Sequence, residues 1–361
     1  MSIQTQEIGS ASLDAEAQAL AVHLAELLRG EEDASIEDRL AKALTQPKSR
    51  AAIQALDEET TAFLLNDVLN MATDSPNAMP CLAALMKAGV DFKKPFEFGR
   101  TPLMVLLQNA SAGRAWTILD RSDPYAVSDA GRTALSEACK LSTPRVEMIK
   151  ALIPPSGHPL RQAFEFRPGA EDEATNLISP LVSLMRGSRS AEIAKLIVPF
   201  SDVFEEAQFD SLAGQVIGQT GVRSCLEEAG MRGEGELTET LFKRAWAQDA
   251  ERAKKIGVKI VDALLEYMDK MEAFAKKGGS ENQLRNTLAP RMKTLEMLCG
   301  LETVSDKGLE KVLDWRAKLE IEMPRAMAVR ERRELARTVE QARAGAEKSP
   351  LAPTTTIARR I

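Results

Sequence analysis

Apolar residues recur at helical spacing along most of the chain, and the breaks in that spacing set its elements. Between Ser12 and Arg29 they fall at Leu13, Ala17, Leu20, Leu24, Leu27 and Leu28, the stripe of an amphipathic helix stopped by Gly30. Shorter helices are predicted over about 34–45, ending before Pro47, and over about 48–56. With a loose start at 1–11, they make residues 1–59 a helical cap. From about residue 60 the helices come in pairs. Thr61 opens one carrying Phe63, Leu64, Val68 and Leu69, and Ser75 to Pro80 interrupts it. Its partner holds Cys81, Leu82, Leu85 and Met86 and closes on Gly89, a residue suited to a left-handed helix end. Leu103, Leu106 and Leu107 then face a core, with Trp116, Ile118 and Leu119 on the return helix. Leu135, Ala138 and Cys139 pair in the same way with Val146, Ile149, Leu152 and Ile153. After an insertion at 154–178, Ser179-Pro180-Leu181 resumes the pattern, with Ile193, Leu196 and Ile197 returning. A weaker fifth unit runs from about Asp210 to Gly230 on Leu212, Val216, Cys225 and Leu226.

Beyond Gly233 the pairing stops. Residues 236–277 read as one long helix, because Ile260, Leu264, Met268, Met271 and Ala275 follow one another at steps of three and four. Gly278-Gly279-Ser280 breaks it, and helices resume at about 281–299, 306–322 and from Pro324 to about Ala346. Residues 236–346 therefore read as an antiparallel helical bundle or hairpin. Residues 347–361, with two prolines and a threonine run, read as a disordered tail.

The paired region carries a repeated phrase. Gly99-Arg100-Thr101-Pro102-Leu103 returns as Gly131-Arg132-Thr133-Ala134-Leu135, 32 residues on, and Asp91 and Asp123 are separated by the same step. A period in the low thirties with turn glycines and apolar helix pairs marks a stacked solenoid. Thr101 is placed to cap a helix that starts at Pro102, a favoured first position. These residues resemble the ankyrin repeat. The likeness is closest over 89–153 and 179–202, looser elsewhere up to 230, and absent beyond. It departs from the family at Ala134, where proline is usual, and at Met104 and Ser136, where histidine is common.

The resemblance implies an all-α fold: an ankyrin-type helical solenoid over 60–233, with the N-terminal cap before it and the C-terminal bundle or hairpin after it. It also implies a binding surface made of projecting finger turns and inner helices. On this sequence those positions are Lys93, Lys94, Phe96 and Glu97 in one finger and Tyr125, Val127 and Ser128 in the next. Val105, Gln108, Glu137 and Lys140 would face the groove from the inner helices. Phe92, Phe96 and Phe98 fall within seven residues, and two readings are open: anchors for a partner, or packing inside their own turns. Ankyrin domains bind macromolecules and rarely do chemistry. The implied function is a non-enzymatic adaptor or scaffold, and an effector, immunity or accessory protein of a microbial or phage system fits that description.

Composition sharpens the picture in places. Of 361 residues, 44% are hydrophobic and only 4% aromatic, which suits thin layers of Ala, Leu, Ile and Val. The net charge of −6 is uneven: residues 1–235 carry −11 and residues 236–361 carry +5, so two surfaces with different partners or plain charge drift both fit. Cys81, Cys139, Cys225 and Cys299 form no C-x-x-C pair, and His23 and His158 add no metal-ligand spacing; no metal or cofactor is expected. The start MSIQTQEIGS is unlike a cleaved signal, and no apolar run reaches the roughly 18 residues of a membrane span. A cytoplasmic address follows, or export by a signal-independent route.

No phosphate loop, H-E-x-x-H or G-x-S-x-G phrase is present, and Glu171, Asp172 and Glu173 read as solvated loop carboxylates. The insertion offers Phe164 and Phe166 between Arg161 and Arg167, either a docking loop or a functionless one. Arg325, Arg330, Arg332, Arg333, Arg337 and Arg343 make helix 325–343 basic, and the rival reading is a nucleic-acid-associated regulator acting through it. Interleaved Glu331, Glu334 and Glu340 favour a solvated face instead. Met268, Met271 and Phe274 read as bundle core or as a seam for a homo-oligomer.

Overall fold

A computed structural model of the chain describes residues 15–29, 36–165, 177–209, 221–277, 281–301 and 303–348. They form eighteen α-helices and one two-stranded sheet, so the fold is all-α in class. The loose start at 1–11, Leu212, Val216, Phe166, Arg167, the loop carboxylates at 171–173, Gly278 to Ser280 and the tail from 349 lie outside the described residues. The chain divides into two compact units, one ending at Asp202 and the other beginning at Val203.

The first unit begins with α1 (Ala15–Arg29), α2 (Ile36–Leu44) and α3 (Ser49–Gln54). Helix pairs follow: α4 (Glu58–Asn70) with α5 (Ala78–Ala88), α6 (Pro102–Gln108) with α7 (Ala112–Ile118), and α8 (Ala134–Lys140) with α9 (Val146–Leu152). After α10 (Pro159–Phe164) come α11 (Pro180–Arg186) and α12 (Ala191–Ile197). The first helices of successive pairs pack on one another in chain order, α4 on α6, α6 on α8 and α8 on α11, and α9 packs on α12.

Six of the eight paired helices have only seven residues, too short to persist alone in water. Caps and burial hold them. Thr101 Oγ1 accepts from Met104 N at 3.4 Å, Thr133 Oγ1 from Ser136 N at 3.1 Å and Ser179 Oγ from Leu181 N at 3.2 Å. Leu103, Leu106, Leu107, Leu135 and Leu184 are all buried, each contributing about 1.5–3 kcal/mol through area removed from water. Trp116, expected in the core, instead stands 48% exposed on α7 while Ala115 and Ile118 point inward. A seven-residue helix has room for one narrow apolar stripe, and these two smaller side chains occupy it.

The described part of the insertion packs against the unit. Phe164 is buried with its ring centroid 6.4 Å from that of Phe200, and Arg161 stacks on the Phe200 ring at 4.8 Å while donating to Pro154 O at 3.2 Å. Both residues are thus engaged within the first unit.

The second unit opens on buried Val203 and Phe204. A hairpin follows, β1 (Glu206–Phe209) antiparallel to β2 (Gly221–Ser224), with Glu206 opposite Ser224 and Phe209 opposite Gly221. Then come α13 (Cys225–Arg232), α14 (Gly235–Gln248), α15 (Ala250–Ala275), α16 (Glu281–Gly300), α17 (Asp306–Leu319) and α18 (Pro324–Lys348). Helix α16 packs against α13, α14, α15, α17 and α18. The described part of the stretch read as a fifth repeat, from 221 on, thus holds strand β2 and the start of a helix that packs on α14, α15 and α16, and the expected boundary at 233 falls inside this unit.

The single long helix expected over 236–277 is two helices. Asp249 adopts φ −157° and ψ 97° and accepts from Arg252 N at 2.9 Å, so it caps α15 rather than continuing α14. Met268 is fully buried, Met271 half-buried, and Phe274 62% exposed. Glu228 is completely buried between Arg223, at 2.7 Å, and Arg232, tying the hairpin to α13.

Candidate partner-binding surface

The two fingers of the first unit share three hydrogen bonds at equivalent positions. Asp91 Oδ1 accepts from Lys93 N at 2.8 Å, and Asp123 Oδ1 from Tyr125 N at 3.0 Å. Phe96 N donates to Arg100 O at 2.8 Å, and Ser128 N to Arg132 O at 2.9 Å. Gly99 N donates to Phe96 O at 3.2 Å, and Gly131 N to Ser128 O at 2.8 Å. Gly99 and Gly131 hold φ of 68° and 70°, a left-handed turn that costs glycine little. The period read in the sequence is therefore a period in geometry. The fingers also touch, through Asp129 N donating to Phe98 O at 3.0 Å, and Ile178 N reaches Gly131 O at 2.7 Å.

The residues named from the sequence are dispersed over this frame. In the first finger Lys93, Lys94 and Glu97 are exposed and Phe96 is half-buried; Lys94 pairs with Glu58 of α4. In the second, Val127 is exposed, and Tyr125 is half-buried against His158, with ring centroids 4.7 Å apart. Lys140 is exposed and Gln108 half-buried.

Val105, Ser128 and Glu137 are buried and offer no open surface. Val105 lies on α6, which packs against both α4 and α8. The Ser128 hydroxyl accepts from Arg132 N at 3.0 Å, shaping its own turn. Glu137 accepts from Arg132 Nη1 at 3.2 Å and Gln108 Nε2 at 3.4 Å, holding both in place.

Phe92 is buried within the first finger, whereas Phe98 is 67% exposed at φ 61°. A bulky residue held left-handed without burial is a feature to be read for function. The sequence carried a signal for it: the equivalent position one period on is Ala130.

Beside the first finger lies a groove of about 890 Å³. It is formed by α3, the N-terminal half of α4, the end of α5 and residues 89–100. Phe63, Val90, Phe96 and Leu65 supply apolar lining, and Phe63 is 56% exposed. Gln54 Nε2 donates to Ala88 O at 3.0 Å and fixes α3 to the end of α5. Lys94, Phe96 and Glu97 line this groove, and the other residues named from the sequence do not. No local spacing predicts it, since it joins two helices and a turn distant in sequence.

The C-terminal arginines are largely engaged. Arg333 donates to Asp306 Oδ1 at 2.6 Å and to Val304 O at 2.7 Å, Arg337 pairs with the same Asp306, and Arg330 donates to Glu334 at 2.8 Å. Arg337 and Arg333 hold the Asp306 carboxyl below its usual range. All four cysteines are buried and none forms a disulfide; burial pushes Cys81 up to about 11 and Cys299 up to about 12, and raises Cys139 as well. Among the described residues no group of His, Cys, Asp and Glu could hold a metal ion, and no helix is long and apolar enough to cross a membrane. No protein-family model matches the chain, and a search of curated proteins finds no matching sequence.

Proposed function

We propose that the chain is a non-enzymatic adaptor. Its first unit is read as an ankyrin-type solenoid that holds a protein partner at the finger turns and the neighbouring groove. Its C-terminal helices hold a second partner or self-associate, within a cytoplasmic microbial or phage system. The observation that carries the reading is the groove beside the first finger: it is lined with exposed aromatic surface and includes Lys94, Phe96 and Glu97. Exposed apolar surface rimmed by charge is what protein interfaces use.

The test is affinity capture from the native cell with wild-type chain and with Phe63→Ala plus Phe96→Ala. Loss of one prominent protein from the variant, with helicity unchanged by circular dichroism, supports the reading. Identical captures from both baits would remove the groove from it. Tyr125 is a poor choice for such a variant, because it packs on His158. A nucleic-acid reading through α18 has less support, since Arg330, Arg333 and Arg337 already bind carboxylates. Self-association is better sought at Phe274, which is exposed, than at Met268, which is core.

A further inference from the structure

Resting on that reading, we infer that the occupant of the groove is a basic amphipathic helix of a protein partner, its apolar stripe set against Phe63 and Phe96 and its cations facing Glu59 and Glu97. The charge balance points this way. Of the ionisable side chains lining the groove, Glu58, Glu59, Asp91 and Glu97 are acidic and Lys94 and Arg100 basic. Lys94 is already paired with Glu58. The carboxylates of Glu59 and Glu97 are exposed and enter no hydrogen bond or ion pair among the described residues. An acidic rim repels phosphate and attracts lysine and arginine.

The apolar part selects for side-chain anchors. A volume of about 890 Å³ admits several large side chains. The first unit has no strand among its described residues, only an isolated bridge between Val127 and Thr133, so an extended peptide finds no ladder to join there. A helix satisfies its own backbone and presents anchors at i, i+3, i+4 and i+7, which suits a groove that offers side chains rather than a sheet edge.

The probe is a pair of fluorescein-labelled 15-residue helical peptides with the same leucine stripe, one with lysines on the polar face and one with glutamates. Anisotropy titrations of the full chain should show the lysine peptide binding at least about tenfold more tightly than the glutamate peptide, the gap closing as salt screens the charges. Glu59→Lys with Glu97→Lys should remove that preference. Phe63→Ala with Phe96→Ala should weaken both peptides. A matched charge reversal far from the groove, Glu26→Lys with Glu147→Lys, should leave the titrations unchanged.

The inference is overturned if neither peptide binds, or if the distant reversal acts as strongly as the groove reversal, which would mean attraction to the acidic surface at large. It is also overturned if the glutamate peptide binds better. In that case, sensitivity of its binding to the phenylalanine pair would leave the groove standing as a protein-binding site, with only its charge preference wrong.

Discussion

The packing of α8 on α11 allows a sharp test of how closely successive pairs approach. Gly187, the residue that ends α11, faces the backbone of Lys140 at the end of α8. A methyl group added there would sit 2.3 Å from Lys140 O, 2.6 Å from its carbonyl carbon and 2.8 Å from its Cα. All three are main-chain atoms, so no rotamer change relieves the clash; the two helices must separate by about an ångström to restore ordinary contact. Overpacking of this kind costs about 1–3 kcal/mol, and a rigid neighbour puts Gly187→Ala at or above the upper end. Gly113 is the control. It lies within α7 with nothing near its added methyl, so Gly113→Ala should be neutral or stabilise by up to about 1 kcal/mol. Because two compact units need not unfold together, the readout should be local. Native-state hydrogen exchange of peptides covering 134–140 and 180–186 in low urea should show the opening free energy of both helices falling together in Gly187→Ala. Protection within about 0.5 kcal/mol of wild type in both would refute the close approach, and with it the chain-order stacking of the pairs.

Three further outcomes follow from the second unit and the thiols. Glu228→Ala leaves Arg223 and Arg232 without their buried carboxylate and should destabilise the second unit by about 3–5 kcal/mol, read as an earlier urea midpoint in exchange of 225–232. Glu227 is pulled up by burial, but bonds from Lys259 at 2.5 Å and from Ser224 outweigh this and hold its pKa below the ordinary 4.5. Its folded pKa being lowered, its contribution is present above pH 4.5 and lost as the pH falls below it; the urea midpoint of the second unit should drop between pH 5 and pH 3, and less so in Glu227→Gln. Cys81, Cys139, Cys225 and Cys299 are all buried, so Ellman's reagent at pH 8 should find no rapid thiol in the native chain and four in guanidinium.

What the sequence disclosed was local. Helix pairs, turn glycines and caps such as Thr101 and Thr133 each depend on a few adjacent residues, so the period of 32 led straight to two fingers with matching hydrogen bonds. The hairpin did not show, because Glu-Ala-Gln-Phe, although it alternates polar and apolar, is only four residues long with a single large apolar side chain, and its pairing with 221–224 is non-local. The break at Asp249 was hidden by apolar spacing that runs on past it, although an aspartate followed by a helix start is a capping signal. Within the candidate site, exposure was the weak point. Helical position alone cannot tell that Val105 is enclosed on both sides, or that Glu137 is occupied by Arg132 and Gln108. The groove was out of reach for the same reason: Phe63 and Phe96 belong to different elements, and only the packing of α4 against the first finger brings them to one surface.

The groove is where the proposed function stands or falls, and photo-crosslinking tests it most directly. Benzoylphenylalanine placed at Phe63 in the native cell should give one discrete protein adduct on irradiation, and the lysine peptide should compete it away. The same group at Trp116, exposed on α7 and outside the groove, should give none. No adduct at Phe63, or the same adducts from both positions, would contradict a partner seated beside the first finger.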